Sequence, residues 1–174
     1  IPSMATAYKM WINSVEAASN GRVAPDKSMV PMQKPDIAFF NTKGEDVSII
    51  VQVSNYMSDK GGMWDTIYLG KREEVLKSRS ISISLEMMLL GAFIIMSLYH
   101  FAHYAFRKNN RFTYYFGLLC FTMGLRVILT GEFLFVYFFP WINWNVHIRI
   151  EFITIFAGFA CFILLLKNRY RNEC

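Results

Sequence analysis

Seven ionisable side chains sit inside long apolar runs: Glu86, His100, His103, Arg126, Glu132, Arg149 and Glu151. Charged groups inside a bilayer are costly, face the bundle interior or water, and mark functional or paired positions. The helical rise of about 1.5 Å per residue places them by depth. Glu86, Glu132, Arg149 and Glu151 fall in the outer third, Arg126 near the middle, and His100 and His103 near the inner face. Glu86 and Arg149 reach the headgroups easily; Arg126 does not. The four outer charges come from three apolar stretches yet share one layer, and Arg126 lies about 9 Å deeper than Glu132 at helical rise. Removing one partner from such a layer strands another, so it can hold two alternative pairings, as a switch requires. Glu86, Arg126, Glu132, Arg149 and Glu151 are therefore the candidate signal-coupling residues. The plainer alternative is that they only fix helix register.

A second set is aromatic. Tyr8, Trp11, Tyr56, Trp64 and Tyr68 precede the apolar runs, and their ring faces suit a sugar or similar polar small molecule. Strand aromatics are mostly core, which is the expectation for Trp11 and Tyr68. Tyr56 and Trp64 flank Gly61-Gly62, a loop setting where binding residues gather, and are the candidate ligand-binding residues. The first 80 residues hold no histidine, no nucleophile–base pair and no metal-ligand spacing. No catalytic, metal or cofactor site is expected, and the chain does not read as an enzyme.

The elements that position these groups follow from how the apolar residues are segregated. The chain has 174 residues, 54% of them hydrophobic and 18% charged, too apolar for an ordinary soluble domain. Ten Lys/Arg and nine Asp/Glu precede Ser80; eight and four follow from there on. The net charge of +5 thus lies with the apolar half and is a topology signal, not nucleic-acid affinity. Spans are predicted at about 83–106, 112–139 and 146–166. Arg107, Lys108 and Arg111 follow the first, Lys167, Arg169 and Arg171 the third, and the loop opposite carries Trp141 and Trp144. Basic clusters stay in the cytoplasm and tryptophans at the interface. The N-terminal domain is expected outside and the C-terminus inside. Gly117, Cys120 and Gly124 form a small-residue stripe that favours close helix contact. Arg126 lies about 200° around the helix from Gly124, so both faces want protein. Three helices cover too little, and a larger bundle, other subunits or a homo-oligomer is implied.

Residues 1–80 read as an external antiparallel sandwich, jelly-roll-like. Strands are predicted at Ala5–Ile12, Val15–Ala18, Val47–Ser54 (buried on both faces) and Met63–Leu69, with a tight turn at Asn13-Ser14 and a Pro-rich loop over 22–36. Four or five strands are too few, so the first strands are expected to be missing and sheet edges left open. The chain opens on Ile1 and reads as a piece of a longer protein. Cys120, Cys161 and Cys174 all lie in the apolar half, and a disulfide-free external domain suggests a bacterial surface more than an animal one.

These stretches resemble the bacterial seven-transmembrane receptors with diverse intracellular signalling modules. The likeness is carried by AYKMWIN, ASNGRV, IIVQVSN, GGMW and IYLG, then by LLGAFIIMSLYHFAHY, YYFGLLCFTMGLRVILTGE and RIEF. It implies a galactose-binding-like jelly roll outside, seven helices in the cytoplasmic membrane, and a histidine kinase, diguanylate cyclase or phosphatase as output. Three spans are present, the jelly roll is partial, and no output module is seen. Ser14 stands where a turn glycine is expected. A membrane redox subunit with bis-histidine haem is disfavoured, because His100 and His103 share one helix and His147 lies at the opposite surface. A membrane-anchored carbohydrate-binding or adhesion protein without signalling is the remaining alternative; it predicts that loss of Arg126 is tolerated.

Overall fold

The computed structural model describes residues 1–4, 6–42, 46–57, 62–63, 65–107 and 111–170. The chain divides into two compact units, Ile1–Arg79 and Ser80–Cys174. The fold is mixed, as expected: an antiparallel sheet followed by three long apolar helices.

The first unit is built on β1 (Ala7–Ile12), β2 (Val15–Asn20) and β3 (Ile49–Ser54), in the order β2-β1-β3 with both pairings antiparallel. Asn13 and Ser14 join β1 to β2 with φ of 49° and 67°. Two positive φ values give the mirror-image turn whose twist suits a two-residue hairpin. Asn13 is tied in place: its N–H donates to the Ser48 carbonyl and its Oδ1 accepts from the Ser48 N–H, both at 2.9 Å.

Strand alternation decides the core. Tyr8, Met10 and Ile12 point to one face and cluster with Met4 and Ala18, backed by Phe40, Val51 and Ile67. Trp11 lies on the opposite face with Lys9, beside Gln52 and Ile50 of β3. The core position expected for Trp11 is thus corrected by a one-residue difference in register. Tyr68, also expected inside, is 80% exposed. Of the expected Met63–Leu69 strand, Met63 and 65–69 are not strand, and Trp64 lies outside the described residues. β3 is an edge strand rather than doubly buried: Ile49, Ile50 and Val53 are each at least 40% exposed. Among the described residues the strands make this one sheet, with open edges.

In the second unit the long helices are α1 (Arg72–Phe106), α2 (Arg111–Leu129) and α4 (Trp144–Tyr170), with a short α3 (Leu134–Phe138) after α2. α1, α2 and α4 are long and apolar enough to cross a membrane. Along their apolar stretches large apolar residues are exposed, Ile95, Leu98, Phe156 and Ile163 among them, which is how lipid-facing surfaces look. α2 stops at Leu129 instead of running on towards Phe139. Small residues set the contacts: a Cβ on Gly117 would sit 3.1 Å from Phe101, and one on Gly124 3.3 Å from the Phe93 Cβ. Gly158 of α4 in turn lies against Thr122 and Met123 of α2. The Thr122 hydroxyl returns to the Leu119 carbonyl at 2.8 Å, which satisfies a buried polar group within its own helix.

Candidate functional site

The turn between α2 and α3 brings charged side chains and unusual backbone together. At the end of α2, the Thr130 N–H donates to the Arg126 carbonyl at 3.1 Å and the Thr130 hydroxyl to the same oxygen at 2.8 Å. Gly131 follows at φ 69°, the left-handed step that ends many helices and suits glycine. Phe133 then adopts φ 54°. A bulky residue holds that conformation only where its surroundings impose it.

Two side chains grip this turn. From α1, the Glu86 carboxylate lies on it: Oε1 accepts the Glu132 N–H at 3.0 Å. The carboxylate rests so closely on Gly131 that a Cβ there would collide with Glu86 Oε1. Glu86 Oε2 is buried without a hydrogen-bond partner, and the Glu132 carboxylate is near enough to repel it. From α4, the His147 ring packs on Phe133 and Phe135, with centroids 6.0 and 5.5 Å away. His147 is only 3% exposed. The Leu129 carbonyl lies beside its ring, outside regular hydrogen-bond geometry.

The other charges meet main chain rather than one another. Arg126 Nη1 donates to the Glu151 carbonyl at 3.4 Å, an oxygen that also accepts the Thr154 hydroxyl at 2.7 Å. The Glu151 carboxylate is within electrostatic reach of Arg126. Arg149 is exposed. The five candidates thus fall into two contacts, Glu86 with Glu132 and Arg126 with Glu151, and Arg149 stands apart from both. A guanidinium or carboxylate bonded to peptide groups is solvated by dipoles, so no direct ion pair is needed to hold it. Arg126 also borders a cavity of about 300 Å³ between α2 and α4, whose lining includes Leu119, Met123, Thr154, Gly158 and Phe159. His147, weighed in the sequence only as a haem ligand, belongs to this layer. Its spacing of four from Glu151 was the available signal, because it puts both on one helix face.

In the first unit, Tyr56 follows β3, is half-exposed, and donates its hydroxyl to the Pro25 carbonyl. It lines an open groove of about 620 Å³ together with Lys9, Trp11 and Gln52 on the sheet face opposite the core, and with Asn55 and Pro25. Lys9 is paired across the hairpin with Glu16 at 3.2 Å. That hydrogen bond holds the exposed Glu16 carboxyl below its ordinary range. Trp11 and Tyr56 line the same groove; Trp64 lies outside the described residues.

The family model for 7TM diverse intracellular signalling matches residues 82–172. No curated protein and no solved structure matches the chain.

Proposed function

This chain belongs to the 7TM diverse intracellular signalling family, and from that membership we propose a sensory receptor in which a ligand-binding first unit biases the helices of the second. Family membership and three helices of membrane length make it a membrane receptor. The finer reading is that ligand capture moves the layer of Glu86, Arg126, Glu132 and Glu151, and that the helices carry this movement to a cytoplasmic output. The observation that carries it is the turn at 130–133, where Glu86 of α1 and His147 of α4 hold Phe133 in a left-handed conformation. An element over-determined from two neighbours is one that a shift of either neighbour can release. The ligand is a carbohydrate or similar polar small molecule in the Trp11–Tyr56 groove, where ring faces and amide groups lie together. The receptor is non-catalytic, sits in a bacterial cytoplasmic membrane with the first unit outside, and completes its bundle with further helices or a second copy.

The test replaces Arg126→Gln and Glu132→Gln in the intact receptor and measures surface level and output together. Near-normal surface level with output locked on or off is expected. Loss of expression, with survivors still responding to ligand, makes the layer structural. Full tolerance of Arg126→Gln favours a membrane-anchored adhesion protein. Calorimetric titration with oligosaccharides tests the groove: Trp11→Ala and Tyr56→Ala are each expected to abolish binding while the sheet stays folded.

A further inference from the structure

We propose that the 130–133 turn is an acid-released latch, opened when His147 takes up a proton. The proposal deepens the coupling reading by naming its regulation, and it rests on that reading only for what the latch controls.

Histidine changes charge between about pH 5 and 8. The His147 ring lies between Phe133 and Phe135, and both ring nitrogens are buried without a regular hydrogen bond. A neutral ring can share its one proton with the adjacent Leu129 carbonyl. An imidazolium has a second donor, which has no acceptor here. A buried charge without a partner is strongly unfavourable. His147 is also in the first turn of α4, which carries no acidic residue, and the positive end of the helix dipole opposes a cation there.

The charged groups of each packed element have other neighbours in the structure. Glu86 of α1 binds the Glu132 N–H. Glu132 faces Glu86. Arg126 of α2 is a cation and bonds the Glu151 carbonyl. On α4, Glu151 shares a helix face with His147, but its carboxylate is within electrostatic reach of the Arg126 cation, and Arg149 is exposed. A protonated ring must therefore leave for water or headgroups. Phe133 then loses the packing that imposes its φ of 54°, the turn relaxes, and the neighbouring Glu132 N–H parts from Glu86.

The Glu132 amide reads the latch directly. Its hydrogen-exchange protection is measured in the full chain in phosphatidylcholine nanodiscs from about pH 7.5 to 5.5. Protection is expected to fall about tenfold or more after correction for intrinsic exchange, with a midpoint that tracks the ¹⁵N shift of the His147 ring. His147→Phe and His147→Gln, neither of which can take the charge, are expected to keep protection flat. Flat protection in the wild type overturns the latch. So does an unchanged pH response in a folded variant, which would pass the role to Glu86. If neither variant folds, a release midpoint apart from the ring's own titration overturns it in the wild type alone. The readout uses neither ligand nor output, so its failure leaves the receptor reading standing, and that reading fails only by its own test.

Discussion

Gly131→Ala tests the grip of α1 on the turn. Gly131 has φ 69°, and giving that conformation a Cβ costs roughly 1 kcal/mol. The new methyl would also stand on the Glu86 carboxylate, whose Cδ lies 2.9 Å from the ideal Cβ position. The obstructing atoms are the end of a flexible side chain, so Glu86 moves and backbone stays. Moving it breaks the bond to the Glu132 N–H. Hydrogen bonds to charged groups contribute about 1.5–3 kcal/mol; part exposure of Glu86 places this one near the lower end. The total loss is expected at about 2–3 kcal/mol. Reversible unfolding of the chain in bicelles by dodecyl sulfate, followed by far-ultraviolet circular dichroism, measures it. In a Glu86→Ala background the same substitution is expected to cost only its backbone share, roughly 1 kcal/mol, which leaves a coupling of about 1–2 kcal/mol. Equal costs in the two backgrounds would refute the placement of Glu86 on Gly131.

Three further outcomes are expected. Ser14→Gly relieves a positive φ of 67° and gains about 0.5–1 kcal/mol after the entropy of the unfolded glycine is offset; slower amide exchange in the β1–β2 hairpin shows it, and faster exchange contradicts the turn. Gly117→Leu drives a side chain into Phe101 and His100, which lie 3.1 and 3.2 Å from its first carbon, and costs about 1–3 kcal/mol of helix packing; unchanged dodecyl sulfate resistance would rule out this contact. Cysteines at Asn143 and Asn168 in a cysteine-free background are labelled by an impermeant maleimide on intact cells at Asn143 alone; labelling at Asn168 reverses the orientation.

The membrane helices were legible because their signal is local. Twenty or so apolar residues in a row leave the backbone no partner except itself, so α1, α2 and α4 followed from composition. The hairpin was equally legible, since Asn13-Ser14 between two β-rich runs is turn chemistry. Met63–Leu69 failed as a strand because β propensity describes fit to a sheet and cannot supply the neighbour. Trp11 was misplaced because β1 can offer either face to a core. The choice of Tyr8, Met10 and Ile12 depended on Phe40, Val51 and Ile67 arriving from far along the chain.

The charged layer divides in the same way. Sequence alone marked Glu86, Arg126, Glu132 and Glu151 as residues able to form it, because depth in a helix is arithmetic and a charge within an apolar run is conspicuous. Tertiary structure decided the pairing. α2 breaks at Gly131, which rotates Glu132 off the helix and turns its N–H to Glu86. Arg126 meets the main chain of α4, and His147 replaces Arg149 as the α4 residue at the turn. The physical reason is that a side chain's depth depends on its own helix, whereas its partner depends on the rotation of that helix against the next, which the small contacts at Gly117, Gly124 and Gly158 set.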